Sequence, residues 1–164
     1  MSAVPNRDEG EVEVEVVELA LPPRPEVVSV ARLVVGALAA ADPSFNDERG
    51  ADLRLAVSEA CTNAIQAQLA SRSGADPDAP IVLRFEVGPG CIELAVSDHG
   101  GGFDPERLET HPAVTDPARL EYEGGLGIPL IRLLADELEF RPSDGGTTVV
   151  MTFGPRVSTG RVGF

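Results

Sequence analysis

The strands of this 164-residue chain come in pairs joined by short glycine-rich turns, and that feature constrains the fold most. Ile81 to Val87 and Cys91 to Ser97 form a hairpin around Gly88-Pro89-Gly90, and Leu138 to Arg141 pairs with Thr147 to Phe153 across Ser143-Asp144-Gly145-Gly146. Turns this short join only antiparallel neighbours, because parallel strands need a crossover of about a dozen residues or more. Ahead of the first hairpin, Glu11 to Leu21 alternates with period two. The pattern predicts a half-buried strand, with Val12, Val14 and Val16 on the core side and Glu11, Glu13 and Glu15 on the wet side.

Two helical patterns follow. Pro22, Pro23 and Pro25 end the strand, and from Glu26 to Ala41 the residues Val27, Val30, Ala31, Val34, Val35 and Leu38 recur at three-and-four spacing. Asp42-Pro43 stops that helix. A second runs from Asp47 to Ala70, its apolar face made by Leu53, Leu55, Ala56, Val57, Ala60, Ala64, Ile65 and Leu69. After the loop Ser71 to Pro80 and the first hairpin, Gly100 to Glu123 shows no sustained period and contains three prolines. A loop of that length in a small domain is often functional. Ile128 to Leu138 then reads as a helix opening behind a glycine cluster, with Pro129 tolerated in its first turn.

The element order predicts a two-layer α/β (α+β) sandwich: a mostly antiparallel sheet with the helices on one face, not a doubly wound parallel sheet. One domain is expected over residues 11–153, between tails at 1–10 and 154–164. Thirteen basic against twenty-seven acidic residues leave a net charge of −14, and all thirteen are arginine. Without lysine there is no Schiff-base chemistry and no lysine-bearing P-loop. So acidic a chain repels a phosphate backbone, which argues against direct nucleic-acid binding. Cys61 and Cys91 do not make a disulfide framework; both suit small buried apolar positions. The apolar stretches are too short for a membrane span, and a cytoplasmic protein is expected.

Three segments carry chemistry. In Glu59-Ala-Cys-Thr-Asn63 the two polar residues lie four apart and share one face of the second helix. A carboxylate beside an amide oxygen can take a proton and hold a hard cation such as Mg²⁺. In Asp98-His-Gly-Gly-Gly102 a carboxylate ends a strand, where it can accept from an exocyclic base amine, and the glycines let a planar ring approach the backbone. In Gly124-Gly-Leu-Gly127 glycines open a helix whose free N–H groups form an anion site. His99, His111 and the two cysteines lack zinc spacing, and Ser97-Asp98-His99 is too extended to be a triad.

In this order the segments resemble the N, G1 and G2 boxes of the GHKL, or Bergerat, ATP-binding fold shared by gyrases and histidine kinases. The small size, the two leading helices and the Glu-x-x-x-Asn spacing are most similar to anti-sigma-factor serine kinases. The resemblance covers Glu11 to Phe153. It is most specific in Asp52-Leu-Arg-Leu-Ala-Val-Ser-Glu-Ala-Cys-Thr-Asn-Ala-Ile65 and in Gly145-Gly-Thr-Thr148.

The resemblance implies an ATP-dependent serine protein kinase that sequesters a sigma factor and phosphorylates an anti-sigma-factor antagonist, acting as a homodimer. It implies Asn63 as the Mg²⁺ ligand and Glu59 as the general base. Asp98 would meet the adenine amine, with Gly100 and Gly102 beside the ring and Thr147 or Thr148 in support. Gly125, Leu126 and Gly127 would offer amides to the phosphates, residues 103–123 would form the lid, and Arg32 matches a partner-binding position. Two departures stand out: Thr115-Asp116-Pro117 replaces a Thr-Lys-Pro stretch, and Glu123 takes a basic residue's place ahead of the glycines. Arg107 and Arg119 are the lid's only cations, which leaves a nucleotide-dependent partner switch with weak transfer as the alternative reading.

Overall fold

The computed structural model describes residues 13–71, 76–101, 127–143 and 145–155. Its elements are β1 (Glu15–Leu21), a short 3-10 turn (Pro25–Val27), α1 (Val28–Ala41), α2 (Asp47–Ala70), β2 (Ile81–Gly88), β3 (Cys91–Ser97), α3 (Gly127–Leu134), β4 (Glu137–Ser143) and β5 (Gly146–Phe153). The strands form one sheet in the order β1-β2-β3-β5-β4, and every neighbouring pair is antiparallel. The α+β sandwich expected from the turns is therefore the fold.

Register places the core. Leu19 opposes Leu83, Leu83 opposes Val96, Val96 opposes Val149, and Val149 opposes Phe140, so these residues share one face. Leu19, Leu83, Val96 and Val149, with Phe85, Leu94 and Met151, pack into a single apolar cluster with Ala31 and Val35 of α1, Leu53, Val57 and Ile65 of α2, and Ile131 of α3. The other face is wet. There Arg84 pairs with Glu18 and Glu86, and Arg141 pairs with Glu139.

The strand phase at the N-terminus is the reverse of the one expected. Val14 and Val16 are 49% and 47% exposed, while Val17, Leu19 and Leu21 pack against the core. The Val16-Val17 doublet breaks the glutamate-valine alternation, and the bulkier set that follows takes the inner face opposite Leu83 and Phe85. A slip of one residue turns every side chain over. Val12 and Glu11 lie outside the described residues.

The helices depart in smaller ways. The first opens as a 3-10 turn at Pro25 and becomes α-helical only at Val28, and Val30 lies 41% exposed on its outer side. The second keeps the expected bounds because Asn46 caps it, its side chain accepting the Arg49 N–H at 2.8 Å. Leu55 and Leu69, expected in its apolar face, are exposed. The third ends at Leu134, four residues short of the expected Leu138, because Asp136 N–H already bonds Thr152 at 2.9 Å and draws the chain into the sheet. Cys61 is buried, which pushes its thiol up to about 12, whereas Cys91 is only half-buried.

A buried arginine ties the elements together at one end. The Arg49 side chain, fully buried, donates to the Gly154 carbonyl at 2.8 Å, the Leu134 carbonyl at 2.7 Å and Asp136 Oδ2 at 2.6 Å. It also lies 4.8 Å from the centre of the Phe153 ring. The start of α2, the end of α3 and the exit of β5 thus meet at one guanidinium.

Candidate functional site

The middle of α2 faces the start of α3. Glu59 and Asn63 stand one turn apart on α2, both half-buried, and neither side chain has a hydrogen-bond partner among the described residues. Gly127, the first residue of α3, is buried directly against them. A Cβ there would lie 2.8 Å from Asn63 Nδ2, 3.0 Å from Asn63 Oδ1 and 3.1 Å from Glu59 Oε2. Glycine lets the backbone come this near without displacing those side-chain tips, which brings a carboxylate, an amide oxygen and a helix N-terminus to one point. Such a set offers hard oxygen donors to a cation and backbone N–H groups to an anion.

One turn further along α2, the loop after β3 lies on the helix. A Cβ on Gly100 would be 2.5 Å from the Ala67 carbonyl carbon and 2.8 Å from the Gln68 nitrogen, so the loop backbone touches the helix backbone. Gly101 follows with φ of 85°, a left-handed conformation that suits glycine. Asp98 N–H donates to the Thr147 carbonyl at 2.9 Å, and Asp98 Oδ1 accepts the Gly100 N–H at 2.8 Å. Burial pushes the Asp98 carboxyl above its ordinary value, while the amides of Gly100 and Thr147 and the nearby His99 pull it back.

The sheet closes the other side of that loop. Thr147 is buried on the core face, whereas Thr148 lies on the opposite face of the sheet, where its Oγ1 shares a 2.8 Å hydrogen bond with Ser97 Oγ across the β3–β5 pair. Gly146 lies so close that any Cβ would fall on the Asp98 carbonyl. A carboxylate, a flat glycine surface and the buried Thr147 therefore surround one end of the site, with the Glu59–Asn63–Gly127 group one helical turn away. The two groups suit the base and the phosphates of a nucleotide.

Six of the residues singled out in the sequence join these two groups: Glu59, Asn63 and Gly127 in one, Asp98, Gly100 and Thr147 in the other, while Thr148 lies on the opposite face of the sheet beside Ser97. Arg32 is exposed on α1 and takes no part. Gly102, Gly125, Leu126 and the lid at 103–123 lie outside the described residues. Sequence reasoning missed Gln68, which is 1% exposed and bridges two segments. Its Oε1 accepts the His99 N–H at 3.2 Å, and its Nε2 donates to the Ala79 carbonyl. The signal was available: Gln68 follows Ala64 by four and Cys61 by seven, and so falls on the buried stripe of α2.

Comparison with known proteins bears on the same residues. Residues 21–153 match the family model of the histidine kinase-like ATPase domain, a span holding both groups. The serine-protein kinase RsbW of Bacillus pumilus is 36% identical over 142 residues, covering 85% of each chain. The protein of that name from Bacillus subtilis is 34% identical over 139 residues, covering 83% of each. The crystal structure of the RsbU and RsbW domains of a Mycobacterium tuberculosis protein shares the fold. It superimposes with a TM-score of 0.56 at 19% identity over 85% of this chain and 32% of that longer one. The chain belongs to the histidine kinase-like ATPase family and, within it, to the RsbW serine-protein kinases.

Proposed function

We propose that this chain transfers the γ-phosphate of ATP to a serine of a small antagonist protein, and that in its other state it sequesters a sigma factor. The observation that carries this reading is the convergence of Glu59 Oε2 and the Asn63 amide on Gly127. That point lies one helical turn from the Asp98–Gly100 loop. In this reading Asp98 accepts the adenine amine, and Gly100 and Gly102 are assigned beside the ring. Of the two threonines, Thr147 on the core face is the one that supports that end.

At the other end Asn63 Oδ1 would hold Mg²⁺, which supplies charge neutralisation to the phosphates when bound. The amides of Gly125, Leu126 and Gly127 complete the phosphate cradle. Glu59 takes the proton of the substrate serine as its oxygen forms the new bond to the γ-phosphorus, the bond to the β-phosphate oxygen breaks, and ADP leaves. The lid over residues 103–123, the domain limits 11–153 and a homodimer acting in the cytoplasm belong to the same proposal.

Arg32, exposed on α1, is assigned to the partner surface. The chain's charge of −14 suits a basic partner surface. The acids at Asp116 and Glu123 favour slow transfer, and in their extreme form a partner switch without useful catalysis. The test is incubation with γ-labelled ATP, Mg²⁺ and the cognate antagonist. Label on an antagonist serine is the expected result, and intact ATP binding without label leaves only the switch.

A further inference from the structure

The loop that carries Asp98 is held from below by one side chain outside the nucleotide contacts assigned above. Gln68 is 1% exposed, and its amide is used at both ends: the oxygen accepts the His99 N–H at 3.2 Å, and the nitrogen donates to the Ala79 carbonyl. His99 is the residue between Asp98 and Gly100, and Gly100 rests on the Ala67–Gln68 backbone. Ala79 precedes β2, the strand that pairs with β3. The amide thus fastens the β3 exit to the helix and to the entry of the neighbouring strand.

Nothing about α2 folding requires a polar residue here. The stripe Leu53, Val57, Cys61 and Ala64 leads into the position, and an apolar residue would continue it. A buried polar side chain is retained at a cost unless its hydrogen bonds are satisfied. Here both are satisfied by backbone of the loop that presents Asp98 and of the strand beside it.

We propose that Gln68 is a positioning residue for base recognition: through His99 it sets where the Asp98 carboxylate stands, and so how well the site distinguishes adenine from a purine without the exocyclic amine. The proposal rests on the assignment of Asp98 to that amine. A residue that only supported the fold would affect all nucleotides alike. A residue that aims Asp98 affects the base contact and spares the phosphate contacts, which lie a helical turn away.

The experiment compares binding of ATP and of purine riboside triphosphate, which lacks the amine, to the wild-type protein, Gln68→Met and Asp98→Asn. Met fills the same length without hydrogen bonds. Gln68→Met is expected to lower ATP affinity about tenfold, from one buried hydrogen-bond site left unpaired, and to leave the analogue's affinity nearly unchanged. Should Gln68→Met fail to fold, Gln68→Asn, one methylene shorter, remains polar but cannot span both backbone groups, and it is expected to move the ratio in the same direction. If Asp98→Asn collapses the ratio while the folded Gln68 variant preserves it, the positioning role is overturned and the Asp98 assignment stands. If Asp98→Asn itself preserves the ratio, the adenine assignment fails and this proposal fails with it.

Discussion

The two ends of α2 carry the same kind of residue and do different work. One buried stripe runs along the helix from Arg49 through Leu53, Val57 and Ala64 to Gln68, and both termini of the stripe are polar. At the first end Arg49 binds the carbonyls that end α3 and follow β5, with Asp136 as its counter-ion. At the other end Gln68 binds two loop backbones beside the nucleotide loop. Between them, on a neighbouring face, Glu59 and Asn63 are only half-buried and have no hydrogen-bond partners among the described residues. Side chains that hold the frame are buried and saturated. The two on α2 that are assigned to ligand, Glu59 and Asn63, are left open.

The largest effect should come from the Arg49 end. Arg49→Met removes a buried cation whose partners, including Asp136 Oδ2 and two carbonyls, stay behind. Asp136 is half-exposed and can be rehydrated, so the cost lies mainly in the two carbonyls left unpaired, about 1–3 kcal/mol each, read as a lower urea midpoint. The folded fraction should still bind ATP with nearly normal affinity. A large loss of affinity in folded Arg49→Met would erase the division between the two ends.

Gly127→Ala tests the middle of the helix. Its Cβ would press on Asn63 Nδ2 at 2.8 Å and Glu59 Oε2 at 3.1 Å, both tips of flexible side chains. The fold should survive with a small change in melting temperature. Affinity for ATP with Mg²⁺ should fall about tenfold or more, because small displacements of positioned groups are expensive in a site of this kind. Titration calorimetry measures this. An unchanged affinity would mean that this junction does not hold phosphate.

The smallest effect concerns a contact remote from either group. Asp42 Oδ1 accepts the Ser44 N–H at 2.8 Å and Oδ2 accepts the Gly90 N–H at 2.9 Å, where φ is 68°. The Ser44 amide and hydroxyl and the Gly90 amide hold the Asp42 carboxyl below its ordinary 3.8. A lowered carboxylate stabilises the fold above its unfolded value and loses that contribution as pH falls through the folded value. Asp42→Asn should therefore be less stable at neutral pH and converge on the wild type in acid. Parallel urea curves at both conditions decide it, and a constant gap would remove the carboxylate from the account.

How far the sequence reached depends on what kind of signal each element left. Tight turns and glycines announced both hairpins, and the apolar face from Leu53 to Leu69 announced α2. The three motifs pointed to residues that the fold does bring together at α2, the β3 exit and α3. β1 misled because two valines in succession allow either phase, and only the partner Leu83 decides. Arg49 and Gln68 were overlooked because a polar residue on a helix is read as solvated. Their burial depends on partners about ten to a hundred residues away, such as Ala79 at eleven and Gly154 at one hundred and five. Local pattern shows the stripe; it does not show what meets its ends.

The central claim is that the open face of α2 performs phosphoryl transfer while the rest of the site holds nucleotide. Its most direct test is Glu59→Ala, measured for ATP affinity and for transfer of labelled γ-phosphate to the antagonist's serine on the same preparation. Removing a general base costs about a hundredfold or more in rate without removing a ligand contact. The account predicts that transfer collapses while ATP affinity is kept. Transfer that continues at the wild-type rate would contradict it.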